Sequence, residues 1–493
     1  MNLDPLRRWE QNVGGLPMPS PLVWSALIAA FLGFGVLIGR ATGPDSVGAL
    51  AAGRAPLKLL VARAPAVSAS STTSSAKPPP LPEAETTPEP STAPASAAKS
   101  AKQAAASGTS SSSSGSSSSG ESSAGSEGSS SQGSKAKLPA IKHVFVVMLS
   151  DEPYATAFGP ASPAHYLSGT LEKQGQLLVR YYAVAHEELA NGIALLSGQG
   201  PTEATAANCP IYTDIAPPSA GADGQVLGKG CVYPASTNTL MGQLTSKHLA
   251  WRAYVGGIDE GAGGPAACAH PASGAADPSA VQAASGAQPV GNAQSTDAAY
   301  RTLRNPFVYF HSITGSSACA ANDVGMSALK GDLASEKRTP SFSYIAPGPC
   351  DDGSLTPCAP GKLTGMVAAD GFLKKVIPEI LASKAYKKDG MLAITVDQAP
   401  AGGEYADSSS CCGQPRFPNL PAPTGAAALS PQGGGQVGLL LLSPFVKGGG
   451  LVQDTYNHFS LLATIEQAFG LSRLGYAGLS EVKPLSPSLF SGG

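Results

Sequence analysis

The chain has 493 residues, a formal net charge of -2 and only 13% charged residues. This balance excludes the basic surface that nucleic-acid binding requires, and the low charged fraction is unlike a soluble cytosolic domain. Gly and Pro are abundant, at 58 and 43, and much of that excess lies in one low-complexity region. Residues 1–20 read as a short cytoplasmic N-terminus. Residues 21–39, PLVWSALIAAFLGFGVLIG, are uncharged and apolar, and about 20 such residues in a helix cross a bilayer. The run exceeds the roughly 7–15-residue core of a signal peptide, so an uncleaved transmembrane anchor is expected. Arg7 and Arg8 precede it, while Arg40, Arg54, Lys58 and Arg63 follow. That count alone would put the C-terminal side inside, but long downstream domains translocate largely regardless of charge.

Residues 40–137 form an Ala/Pro/Ser/Gly-rich linker ending in SGTSSSSSGSSSSGESSAGSEGSSSQGS. Such a stretch buries too little apolar surface to offset its ordering entropy, so it reads as a disordered tether. Over about residues 64–138 its r.m.s. reach is on the order of 45–50 Å. The eight cysteines all lie beyond it, without a CxxC pair. An even set past a membrane anchor reads as disulfides in an oxidising space. The expected location is the cell membrane, single-pass, with the C-terminal domain extracytoplasmic. Adjacent Cys411 and Cys412 are expected to pair with two different partners.

A folded domain is expected over 138–490. IKHVFVVM (141–148) is a nearly continuous β-branched run, the pattern of a buried parallel strand. MLAITV (391–396) and VGLLLLSPF (437–445) are further strands. Helical stretches fall at 166–178, 237–248, 371–383 and 458–470. The alternation predicts an α/β fold, a doubly wound, mostly parallel sheet with helices on both faces. The site should then lie beyond the strand carboxyl ends, after Met148, Val396 and Phe445.

Several blocks carry a resemblance in order: IKHVFVVM, YYAVAHEELANGIALLSG (181–198), CVYPASTNTLMGQL (231–244), NPFVYFHSI (305–313), PCDDGSLTPC (349–358), LAITVDQ (392–398), and LLLLSPFVKGGG with YNHFSLLATIEQAFGLSRLGYA (439–477). Together they resemble the bacterial phosphoesterase family, of acid phosphatase and phospholipase C type, in the alkaline phosphatase superfamily. The resemblance implies hydrolysis of phosphate esters, with metal ions clamping the attacking and leaving oxygens.

The family's usual Glu-Asn after the first strand is Ser150-Asp151 here. The nucleophile position is Glu188 within His186-Glu187-Glu188-Leu189-Ala190-Asn191, and Asn191 matches a phosphate-contacting Asn. Asp352 is kept between Cys350 and Cys358, a plausible local disulfide, but the His that follows in the family is Ser354. Asp397 is kept and its Glu neighbour is Gln398. His458 is kept at a helix start. The resemblance therefore implies Asp151, Asp352, Asp397 and His458 as metal ligands, Glu188 at the catalytic position, and Asn191, His270 and His311 lining a substrate pocket. The oxygen-rich set suits Mg, Ca or Mn better than Zn, as a single ion or none. Arg304 stands where relatives often carry His; it is read as a surface residue, with phosphate contact as the alternative. His143 and His248 are read as structural. Three functions remain open: a phosphoesterase acting on a phosphate-ester ligand, an inactive pseudo-phosphoesterase binding an anionic ligand or metal at the cell surface, and a structural surface protein in which the pocket is vestigial.

Overall fold

The computed structural model describes residues 137–258, 266–280, 300–355, 361–422 and 433–491. The expected N-terminus, anchor and linker lie outside the described residues, apart from Lys137. Among the described residues, no helix is long and apolar enough to cross a membrane.

Eight strands form one sheet: β1 (His143–Leu149), β2 (Gln176–Leu178), β3 (Trp251–Val255), β4 (Asp323–Gly325), β5 (Phe342–Ala346), β6 (Gly390–Val396), β7 (Leu439–Leu442) and β8 (Gly450–Val452). Their order is β8-β2-β7-β6-β1-β5-β3-β4. Every neighbouring pair is parallel except the two made by β7. The fold is thus α/β around a large, mostly parallel sheet. β1 and β6 are apolar apart from His143 and Thr395, and every residue of both is buried. Burial of successive residues, which point to opposite sides, means that both faces of these central strands are covered.

The main helices are α1 (Glu188–Ser197), α2 (Leu240–Ser246), α3 (Gly365–Ala382) and α4 (His458–Phe469). α1 packs against α2 and α4, whereas α3 packs against the turn His165–Leu171. α4 starts where the sequence supplies a capping box: Asn457 Oδ1 accepts from Ser460 N at 3.0 Å, and the Ser460 hydroxyl accepts from Asn457 N at 3.3 Å. α1 ends at Gly198, φ 68°, where a Cβ would lie 2.1 Å from the Leu474 carbonyl oxygen, so only glycine fits.

Three expectations are corrected. The strand within 437–445 runs antiparallel to β6, so the residues after Phe445 leave from the opposite end of the sheet. The Ser443 hydroxyl donates to Gly390 O, at the start of β6, at 2.6 Å. The stretch 166–178 is not one helix: helical turns span His165–Leu171 and Glu172–Gln174, and Gln176–Leu178 becomes β2. Pairing with β7 overrides local propensity there. Cys411 and Cys412 bond to each other rather than to separate partners. Cys209 pairs with Cys231, and Cys268 with Cys319. Cys350 is disulfide-bonded, and Cys358 lies outside the described residues.

Candidate functional site

β1 and β6 are paired so that Leu149 faces Val396, and the chain leaves both strands at one edge. Asp397 N donates to Leu149 O at 3.0 Å, and Asp151 N donates to Asp397 Oδ1 at 3.0 Å. Asp151 has φ 51°, a left-handed conformation that Asp adopts more readily than most residues. The loop after β5 brings Asp352 alongside, and its carbonyl accepts from Ser150 N at 2.7 Å. Glu188 is the first residue of α1. The preceding Glu187 has φ 72° and is held there by its amide donating to Gln398 Oε1. Asn208 clamps the same turn, donating to Glu187 Oε2 at 2.7 Å and accepting from Leu189 N at 3.1 Å. Thus Asp151, Glu188, Asp352 and Asp397 converge at the carboxyl ends of the strands.

Arg304 enters this cluster from the turn Thr302–Arg304, and it is 5% exposed, correcting its reading as a surface residue. Its Nη1 lies 2.5 Å from Asp397 Oδ2 and 3.5 Å from Glu188 Oε2. Nη2 donates to Met148 O at 2.9 Å, and Nε lies 3.8 Å from Asp352 Oδ2. Two departures from the family pattern help close the cluster. Ser354, where the family has His, donates its amide and hydroxyl to Asp352 Oδ1. Gln398, where the family has Glu, holds the turn before Glu188.

Burial, and then Glu188, Glu187 and Asp352, push the Asp151 carboxyl up to about 7 against the pull of Arg304. Burial opposes the charge on Arg304, but Glu188, Asp397 and Asp352 outweigh it and hold the guanidinium above its usual range. Burial also raises the Asp397 carboxyl, against the Arg304 charge and the Asp151 amide. The pair pulls in opposite senses, and the geometry decides it. Oδ1 faces an N–H of Asp151 and Oδ2 an N–H of Arg304, so neither oxygen faces an acceptor for a proton of its own, and we read Asp397 as ionised.

His458 is fully buried at the start of α4. Its Nε2 lies 2.9 Å from Asp397 O and its Nδ1 2.9 Å from Tyr181 Oη. A carbonyl only accepts, so Nε2 carries the proton and Nδ1 accepts from the tyrosine. Burial lowers the ring's pKa to about 4. Both nitrogens are engaged, so His458 braces the Asp397 loop and offers no lone pair to a metal, in contrast to its expected role. Asn191 also departs from expectation. Its Oδ1 accepts from Val184 N and Ala185 N at 2.9 and 3.2 Å, and its Nδ2 donates to Ala185 O and Glu187 O at 2.6 and 3.1 Å. It shapes the turn and turns no polar atom toward a ligand.

His270 stacks on Tyr212 with ring centroids 4.9 Å apart. His311 pairs with Asp214 at 2.8 Å, on an exposed surface. Neither contacts the Arg304 cluster, because the loops that carry them pack on Tyr212 and Asp214 instead. Sequence reasoning missed the inward course of Arg304 and the role of Tyr181. The available signal for Arg304 was its place directly before the apolar NPFVYF block.

Ligands sharing one divalent ion at 2.0–2.6 Å lie within about 5 Å of one another. Among the described residues, the trio whose donor atoms all fall within 4.8 Å is Cys268, Cys319 and Asp323, and its two sulfurs are already joined as a disulfide. The four carboxylates at the strand ends are instead spread around a guanidinium, so with Arg304 in place the residues present do not fit the metal centre that the fold family implies.

The model of the Phosphoesterase family matches residues 137–472. No curated protein sequence matches the chain. Among solved structures, it is similar to a protein in the alkaline phosphatase superfamily from Vibrio parahaemolyticus, at 12% identity and TM-score 0.38, covering 71% of this chain and 72% of that one. It is also similar to a phosphonate monoester hydrolase from Silicibacter pomeroyi, at 11% and 0.36, covering 71% and 77%. A third is a lipoteichoic acid synthase from Listeria monocytogenes, at 10% and 0.35, covering 68% and 74%. The family match spans well over half of the sequence, so the chain belongs to the Phosphoesterase family.

Proposed function

We propose that this chain is a pseudo-phosphoesterase. It keeps the family's sheet and strand-end loops, does not hydrolyse phosphate esters through a metal centre, and is held outside the cytoplasm by residues 21–39 as a binding rather than catalytic module. The disulfides support an oxidising location. The observation that carries the reading is Glu188. It occupies the nucleophile position and directs a carboxylate, not a hydroxyl, at the cluster, with Oε2 3.5 Å from Arg304 Nη1. A hydroxyl nucleophile attacks phosphorus when a base or metal takes its proton. A carboxylate there repels an incoming phosphate dianion, by about 4 kcal/mol per pair of unit charges 4 Å apart at an effective dielectric of 20.

The test is hydrolysis of an aryl phosphate monoester and diester by the full-length protein in detergent, with Mg, Ca, Mn or Zn supplied in turn. The reading expects wild type to match Asp397→Ala with every metal. Metal-dependent turnover that Asp397→Ala abolishes would overturn it.

One observation favours a second reading, a hydrolase that needs no metal. Asp151 is half-buried beside Glu188 with its pKa near 7, the range in which a carboxyl group can exchange protons at neutral pH. In the same assay this reading expects turnover that survives chelation and is lost in Asp151→Asn.

A further inference from the structure

We propose that the Arg304 guanidinium is the resident cation of this centre, standing in for a divalent metal, and that removing it opens a divalent-cation site between Glu188, Asp352 and Asp397. The proposal rests on the reading of the centre as non-hydrolytic, and its test is chosen to fail separately.

Four oxygens surround the guanidinium: Asp397 Oδ2 at 2.5 Å, Met148 O at 2.9 Å, Glu188 Oε2 at 3.5 Å and Asp352 Oδ2 at 3.8 Å. Three carboxylates and a backbone carbonyl are the donor set of a hard cation, yet an arginine nitrogen occupies the space against the innermost of them. Asp352 adds independent evidence that this space is a cation position. Its side chain is fully buried, and Oδ2 has no hydrogen-bond partner and faces Arg304 Nε, itself without one. The remaining carboxylate oxygens are committed elsewhere, Asp397 Oδ1 to the Asp151 amide and Asp352 Oδ1 to Ser354. The second oxygens of Asp397 and Asp352 are therefore left to Arg304, and Glu188 Oε2 joins them.

A guanidinium differs from a metal in ways that matter to the protein. It is tethered, so dilution and chelators do not remove it. It stays charged across the physiological range. It cannot present an open coordination position to a phosphate oxygen or a water, which is what a catalytic metal contributes. Substituting arginine for the ion keeps one fixed positive charge among the buried carboxylates while giving up the chemistry.

The test compares the full-length protein in detergent with Arg304→Ala and Arg304→Lys, after dialysis against EDTA. Tm is read with and without about 1 mM Mn or Ca. Wild type and Arg304→Lys should shift by no more than about 1 °C, because a cation is already in place. Arg304→Ala, with its carboxylates unpaired, should melt lower by on the order of 5 °C or more and regain at least half of that with Mn or Ca. Folding of Arg304→Ala only when metal is supplied would support the proposal equally. Failure of that variant to fold under any condition leaves the decision to the other two proteins. Metal insensitivity in both supports the proposal, and an equivalent of Mn taken up by wild type and lost in Asp397→Asn overturns it. A folded Arg304→Ala that ignores metal also overturns it. Ester turnover that survives EDTA would defeat the non-hydrolytic reading and leave this one standing.

Discussion

The Arg304 guanidinium and the Asp397 carboxylate meet at 2.5 Å where both side chains are almost closed to solvent. Removing one member of such a pair strands the other, typically at a cost of 3–5 kcal/mol, whereas replacing both with apolar groups of similar size is far milder. Arg304 also faces Glu188 and Asp352, so Arg304→Met should lose about 3–5 kcal/mol in urea denaturation, and Asp397→Leu, which leaves the arginine two carboxylates, should lose less. Asp397→Leu should cost less on the Arg304→Met background than on wild type, because it removes one stranded carboxylate. Additive losses in the double variant would show that the two residues are not a coupled pair.

The ring of His458 joins the Asp397 carbonyl on one side to the Tyr181 hydroxyl on the other. Its pKa in the fold is about 4, against about 6.5 in an unfolded chain. Between those values the unfolded state binds a proton that the folded state refuses. Stability from this residue is thus complete above pH 6.5, falls as pH drops toward 4 and levels off below, by about 3 kcal/mol in all. His458→Gln should be less stable at pH 7 but should show a shallower loss between pH 6.5 and 4, read from Tm against pH. Parallel curves for the two proteins would contradict the assignment.

Asp151 acts in the opposite sense. Its carboxyl holds a proton up to about pH 7 in the fold, while an unfolded Asp releases it near pH 3.9. Rising pH from about 4 to 7 therefore removes stability, and the full penalty is present above 7. Asn tolerates the same positive φ, so Asp151→Asn should gain on wild type between pH 5 and pH 8. An advantage of equal size at both pH values would mean that the carboxyl does not titrate in this window.

Asn191 binds four backbone groups from within the core. Asn191→Leu keeps the branching of the side chain, though it is bulkier, and leaves those groups without partners, each costing about 1–3 kcal/mol when it stays buried. A total loss of about 3 kcal/mol or more is expected in equilibrium unfolding. A loss below about 1 kcal/mol would restore the case for a ligand-facing Asn191.

β1 and β6 were legible because short, nearly continuous apolar runs with β-branched residues fit strands covered on both faces, and α4 because a helical period follows the Asn457 cap. Once those strands were recognised, the places of Asp151 and Asp397 followed from where open α/β sheets put their sites, whereas Glu188 and Asp352 were singled out only by the family resemblance. The direction of β7 was not legible, because LLLL carries no polarity; only its pairing with Leu392–Thr395 sets it. The course of Arg304 was hidden for a related reason. Its partners Asp397 and Glu188 are 93 and 116 residues away, and the one local signal, the apolar NPFVYF block that follows it, does not name them. His458 was read from its position alone, whereas its chemistry is decided by Tyr181, a residue that looked like ordinary core.

The most direct measurement is the metal-to-protein ratio of the full-length protein, purified in detergent and equilibrated with Mn before removal of the free ion. With Arg304 as the cation among Asp397, Glu188 and Asp352, the ratio should stay far below one and be unchanged in Asp397→Asn. A ratio near one or above that collapses in Asp397→Asn would show that a metal, not the arginine, occupies the centre.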